Sequence, residues 1–245
     1  MYLSKDDVQR YNQDGFLLVP DLFSAGEVQR MIQEIRGGER IASAEINTSD
    51  SLGMKVKLTY WENLIGDIWS AASTCPRVVN NVRILLGEEA AFFHGKVMLK
   101  EAHTGGAWEW HQDYGYWYDQ GFMYPRMLSV FVALDAATQL NGCLRVLKGS
   151  HKLGRLSHGA VGGQTGADPA RVAAAEELHE TVHCEMTPGS VLFFDSNLLH
   201  CSSANDSDFH RHSFIMCYSA WDNPQQTENG FVRREPCPVG ADDSI

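Results

Sequence analysis

The chain changes character near residue 90, and that change narrows the folds open to it. Before it, apolar residues recur at helical spacing. Val28, Met31, Ile32 and Ile35 follow the capping box Ser24-Ala-Gly-Glu27 and stop at Gly37-Gly38, while Val78, Val79, Val82, Leu85 and Leu86 run from Pro76 to Gly87. Ser4 caps an earlier helix over about 4–12, the short strand 16–19 follows, and Val56, Leu58 and Tyr60 alternate as a strand. Beyond Ala90 the pattern shortens to strand-like runs at 91–100, 108–118, 127–134, 143–147, 180–186, 191–195 and 211–220. Helices first and many short strands afterwards predict a mainly β fold, a double-stranded β-helix of the jelly-roll or cupin-like kind with flanking α-helices. At 245 residues the chain fits one domain, 1–245, with a helical N-terminal part over about 1–88, the roll over about 89–222 and a C-terminal tail at 223–245.

Composition excludes several classes. A formal net charge of −11 speaks against a nucleic-acid or anionic-membrane surface. No apolar run is long enough to span a bilayer, and the polar start Met-Tyr-Leu-Ser-Lys-Asp-Asp lacks a secretory leader's pattern, so a cytoplasmic location and a small-molecule partner are expected. The oligomeric state is left open. Cys75, Cys143, Cys184, Cys201, Cys217 and Cys237 lack Cys-x-x-Cys spacing and read as reduced, mostly buried thiols.

Within the strand-rich part, Trp108-Glu-Trp-His-Gln-Asp-Tyr-Gly carries His111 and Asp113, and Leu-Leu-His-Cys-Ser-Ser carries His200. On a strand, side chains alternate, so His111 and Asp113 are expected on one face with Gln112 turned away. With His200 they form a two-histidine, one-carboxylate set that leaves one face of an octahedral Fe(II) open. His-x-Asp also arises by chance. Arg211, eleven residues after His200, offers a planar fork for a carboxylate if it points inward; otherwise it lies on the surface and His210 and His212 form a metal-binding pair of their own.

The spacing His111-x-Asp113, His200, Ser202 and Arg211 resembles the phytanoyl-CoA dioxygenase family of Fe(II)/2-oxoglutarate oxygenases. The opening Tyr11-Asn-Gln-Asp-Gly-Phe-Leu-Leu-Val-Pro, the stretch Asn141-Gly-Cys-Leu-Arg-Val-Leu-Lys-Gly-Ser-His and the run Met186-Thr-Pro-Gly-Ser-Val-Leu-Phe-Phe-Asp resemble it too, so the likeness spans nearly the whole chain. Leu140 and Lys148 depart from the usual pattern, away from the expected chemistry. The resemblance implies that His111, Asp113 and His200 hold Fe(II), that Arg211 and Ser202 bind the distal carboxylate of 2-oxoglutarate, and that Lys100 and Asn141 also contact this co-substrate. Lys100 reads equally as a solvated strand end, and Asn141-Gly as a plain turn. The implied reaction consumes O2 and 2-oxoglutarate, releases succinate and CO2, and hydroxylates an unactivated C–H bond. Halogenating relatives lack the carboxylate ligand that is present here as Asp113. A metal-dependent oxygenase or isomerase without 2-oxoglutarate, and a non-catalytic ligand-binding relative, are the alternatives.

Substrate contacts are expected from the aromatic cluster around the ligand segment. Trp117 shares strand parity with His111 and Asp113, Arg126 would anchor a substrate carboxylate, and Gln112 and Phe131 are further candidates. The glycine-rich excursion at 154–178 reads as a lid or as a surface connector. His151, His158, His179 and His183 read as surface or capping residues. With no dense basic cluster beyond Lys148, Lys152 and Arg155, a CoA thioester substrate is not indicated.

Overall fold

The computed structural model describes residues 2–43, 45–243 and 245. Its strands are β1 (Phe16–Val19), β2 (Glu45–Ser49), β3 (Lys55–Trp61), β4 (Ala90–Lys100), β5 (Trp108–His111), β6 (Met127–Ala133), β7 (Leu144–Leu147), β8 (His158–Val161), β9 (Gln164–Ala167), β10 (Thr181–Cys184), β11 (Val191–Asp195), β12 (His200–Ser202), β13 (Arg211–Ala220), β14 (Gln225–Thr227) and β15 (Gly230–Val232). The helices are α1 (Lys5–Asp14), α2 (Ala25–Gly37), α3 (Glu39–Ser43), α4 (Ile68–Thr74), α5 (Pro76–Leu86), α6 (Asp113–Asp119) and α7 (Pro169–Leu178).

A seven-stranded sheet runs β1-β11-β6-β13-β4-β3-β2, and a four-stranded sheet runs β10-β7-β12-β5, with antiparallel pairing throughout. The two sheets form the expected roll. The large sheet is apolar on both faces because it separates two cores. Along β13, Phe214, Met216 and Tyr218 join the core under the helices, whereas Ile215 and Cys217 join the core inside the roll. Along β6, Val130 and Val132 face the helices while Phe131 and Ala133 face inward. A run buried at every position, such as 127–133, is therefore a strand buried twice over.

The helices begin and end where their capping residues dictate. Ser4 and Ser24 close reciprocal capping boxes with Asp7 and Glu27, and Pro76 opens α5. Gly87 ends α5 with φ 73°, a left-handed conformation that glycine adopts without strain.

Two expectations are corrected. The strand at 108–118 stops at His111; after an extended Gln112 the chain turns into α6, so Asp113 begins a helix and does not continue the strand. The excursion at 154–178 is not a loose connector. It forms the hairpin β8–β9 and α7, and Gln164 of β9 docks on the ligand segment by accepting from the Glu109 N–H (3.1 Å) and donating to the Ala107 carbonyl (2.9 Å). The tail carries the hairpin β14–β15.

Candidate metal and co-substrate site

β12 and β5 are neighbours, and their register sets His200 opposite His111. It slips between His200 and Ser202, an irregularity of the sort that re-aims side chains beside active sites. The two imidazole centroids are 4.0 Å apart. Each ring is held from behind by a backbone carbonyl two residues earlier: Nδ1 of His111 donates to Glu109 (2.7 Å) and Nδ1 of His200 to Leu198 (3.0 Å). This tautomer leaves both Nε2 lone pairs free, as metal ligation requires.

Asp113 completes the cluster from the start of α6. Its Oδ1 lies 3.9 Å from His111 Nε2 and 4.0 Å from His200 Nε2, and Oδ2 accepts from the Ser129 hydroxyl at 2.5 Å. One potential ligand atom from each residue lies within 4.8 Å of the other two, and all three side chains are buried. Burial opposes the charged form of Asp113, but Lys96, His200, His111 and the Ser129 hydroxyl outweigh it and hold the carboxyl well below the usual carboxylate range. Burial and then the charge of His200 depress His111, and burial depresses His200. Two neutral imidazoles and one carboxylate around a common point, with the remaining directions opening on a cavity, fit a divalent iron with sites left for reactants.

Beside this cluster lie two cations. Arg211 and Lys100 are register partners on β13 and β4, 3% and 5% exposed. Arg211 donates to the Ser213 hydroxyl (3.3 Å), sits 5.7 Å above the Phe131 ring and leaves Nε without a partner. Lys100 donates to the Ser202 hydroxyl (2.9 Å) and to the Ser203 carbonyl. Among the described residues, no carboxylate forms an ion pair with either one. Burial lowers Lys100 well below its ordinary value and Arg211 to about 10. Uncompensated buried charge is costly, and a small anionic ligand removes the cost.

The ligand cluster and Arg211 face one hollow inside the roll, lined by Leu58, Lys96, Met98, Trp108, His111, Asp113, Phe131, Leu144, Phe194, His200, Cys201, Ser202, Arg211 and Ile215, with Lys100 hydrogen-bonded to the lining Ser202. Larger hollows elsewhere are open and superficial. Cys201, read from the sequence only as a buried thiol, borders this one; burial pushes its thiol up to about 12, so it stays protonated.

The remaining candidates fall outside the hollow. Asn141 braces its own turn, accepting from the Thr138 N–H (2.7 Å) and donating to the Ala136 carbonyl (2.7 Å). Gln112 ties the ligand segment to its neighbours through Gly154, Leu156 and Asn197. Trp117 packs edge-on against Phe93 and His94, because the helix rotates it away from the face that strand parity assigned to it. Arg126 is partly exposed and ion-paired with Glu88 and Asp222, both at 2.7 Å. Sequence reasoning missed Lys96 and Ser129. Period-two alternation was the available signal: Lys96 shares a strand face with Lys100, and Ser129 with Phe131.

The phytanoyl-CoA dioxygenase family model matches residues 11–213. An ectoine dioxygenase of Bordetella bronchiseptica is 28% identical over 242 residues, covering 90% of this chain and 77% of that protein. An L-proline trans-4-hydroxylase of Streptomyces griseoviridis is 26% identical over 226 residues, covering 86% and 84%. The fold matches the crystal structure of EctD from S. alaskensis with 2-oxoglutarate and 5-hydroxyectoine, with a TM-score of 0.82 and 24% identity over 99% of this chain and 89% of that one. Fold, site chemistry and relatives define an Fe(II)/2-oxoglutarate-dependent dioxygenase of the hydroxylase type, acting on a small molecule with O2 as co-substrate. The chain belongs to the phytanoyl-CoA dioxygenase family.

Proposed function

We propose that His111, Asp113 and His200 are the iron ligands, that Arg211, with Ser202 and Lys100 beside it, seats the far carboxylate of 2-oxoglutarate, and that the substrate is a small carboxylate-bearing amino-acid derivative. One observation carries this reading: three convergent ligand atoms share a hollow with the buried Arg211 guanidinium, which has no ion-pair partner among the described residues. When bound, Fe(II) supplies oxygen activation coupled to conversion of 2-oxoglutarate to succinate and CO2. The protein's own part is positional. The backbone carbonyls of Glu109 and Leu198 aim the imidazoles, Ser129 orients Asp113, and Arg211 fixes one end of the co-substrate. Phe131, Phe194, Leu144, Met98 and Ile215 give apolar walls that exclude water. Lys96, 3.9 Å from Asp113, takes over from Arg126 as the cation suited to a substrate carboxylate. The ectoine dioxygenases and proline hydroxylase among the relatives support this substrate class. Six free, buried cysteines suit a reducing compartment and support a cytoplasmic location.

The test is an anaerobic titration of the Fe(II)-loaded protein with 2-oxoglutarate, following the visible charge-transfer band of the chelate in wild type and Arg211→Ala. The band is expected in wild type, with affinity about 100-fold weaker in the variant, as truncating one side of a buried charge pair implies. Iron binding without a band in wild type sinks the co-substrate assignment; equal affinities remove Arg211 from it.

A further inference from the structure

On the opposite face of β13 from Arg211, three potential metal ligands meet outside the roll. His210 and His212 flank Arg211 in the chain, and Glu101 directly follows Lys100 at the end of β4. The two imidazoles stack with centroids 5.0 Å apart and planes 12° from parallel. Glu101 Oε2 lies 2.6 Å from His210 Nδ1, and Oε1 lies 3.7 Å from His212 Nε2. One potential ligand atom from each residue lies within 4.8 Å of the others.

The state of His212 is the telling detail. Its Nε2 is buried and has no hydrogen-bond partner, and 3.7 Å is too long for a hydrogen bond to Glu101. That spacing is close to the separation of two ligands each about 2.0–2.2 Å from one ion. Nδ1 of the same ring faces Asp135 Oδ2 at 3.2 Å, and the His212 N–H also donates to that oxygen at 2.9 Å. A carboxylate behind Nδ1, with Nε2 free, is the arrangement that orients histidines ligating zinc. His210 is half exposed, which leaves an approach for the ion and positions for water.

We propose that Glu101, His210 and His212, backed by Asp135, form a second metal site for a zinc-class divalent ion, separate from the iron cluster. Imidazole and carboxylate donors suit such an ion better than calcium or magnesium. The site bridges the ends of β4 and β13 and is fastened to the turn after β6. A bound ion therefore clamps the segments that carry Lys100 and Arg211 without entering the hollow.

Zinc binding to the metal-free protein tests the site without reference to activity. Equilibrium dialysis at micromolar Zn2+ should give two equivalents in wild type, since the iron cluster also accepts Zn2+, and one in His210→Ala/His212→Ala. The complementary variant His111→Ala/His200→Ala should retain one equivalent and show visible d–d absorption when loaded with Co2+. Asp135→Asn should weaken that remaining site about 10-fold. The proposal is overturned if wild type binds one equivalent that disappears with His111 and His200, if the His210/His212 variant still binds two, or if the second ion binds only at millimolar concentration. Should His111→Ala/His200→Ala not fold, the fall from two equivalents to one in the surface variant decides alone.

Discussion

Asp113 receives its only side-chain hydrogen bond, among the described residues, from Ser129, at 2.5 Å. Removing that hydroxyl frees the carboxylate to rotate and raises its proton affinity. Ser129→Ala is accordingly expected to weaken Fe(II) binding about 10-fold while leaving folding intact, since an outer partner of a metal ligand contributes on that scale; unchanged affinity in an anaerobic titration would count against the role. A half-buried carboxylate behaves differently. Burial raises Asp195 from 3.8 to about 6. Below pH 4 the group is protonated folded and unfolded, and no penalty exists; as pH rises to 6 the unfolded chain ionises first and stability falls by up to about 3 kcal/mol; above 6 the loss is constant. Asp195→Asn keeps an acceptor for the Asn197 N–H, 2.8 Å away. Its stability gain in denaturant titrations should grow from pH 5 to 7 and then level off, and a gain equal at every pH would refute the assignment. At this scale the convergence of His111, Asp113 and His200 and the burial of Arg211 beside them were readable from residue type and spacing. For Ser129 and Lys96 alternation gave only the strand face, because what a serine or lysine on a strand can do depends on what the rest of the fold brings near it.

Among the elements, α6 is the one on which the proposed iron cluster depends and the one the sequence concealed. The run Tyr114-Gly-Tyr-Trp-Tyr has aromatic strand propensity, yet tertiary packing makes it a helix. His158, expected at the surface, accepts from the Gln112 N–H at 3.0 Å through Nε2 and donates from Nδ1 to the Leu156 carbonyl at 3.0 Å. Hairpin β8–β9 thus braces the turn that delivers Asp113. Gly115 makes this possible: a Cβ there would come within 2.3 Å of the His158 ring. Gly115→Ala is expected to cost about 1–3 kcal/mol through overpacking and to weaken Fe(II) binding by pushing α6 off the hairpin. Gly115→Ala/His158→Ala should recover part of that stability, so the two effects should be non-additive in denaturant titrations. Strict additivity would show that the ring and the helix do not meet. The capped helices α1, α2 and α5 were legible because their punctuation is local, whereas α6 and the hairpin are decided by contacts distant in the chain.

For the molecule as a whole, the two sheets and the helical layer were legible from the order of periodicities, since a strand buried on both faces must lie between two cores. What periodicity could not convey is that the roll encloses two cations that have no ion-pair partner among the described residues, an arrangement that costs stability until an anion binds. Lys100 satisfies its amine with Ser202 and Ser203 yet remains desolvated beside Arg211. Replacing it with an apolar side chain of similar length removes the desolvation cost and leaves only hydroxyl and carbonyl groups to re-pair. Lys100→Met should therefore stabilise the ligand-free protein by about 1–3 kcal/mol, a rise of several degrees in Tm for a chain of this length. The same variant should lose most of the stabilisation that 2-oxoglutarate confers on metal-loaded wild type, which is about 2.7 kcal/mol at a hundredfold excess over Kd. Thermal unfolding of both proteins, with and without 2-oxoglutarate, separates the two effects. If Lys100→Met melts lower without ligand, its hydrogen bonds outweigh its desolvation; if it keeps the full ligand-induced shift, Arg211 alone carries the carboxylate.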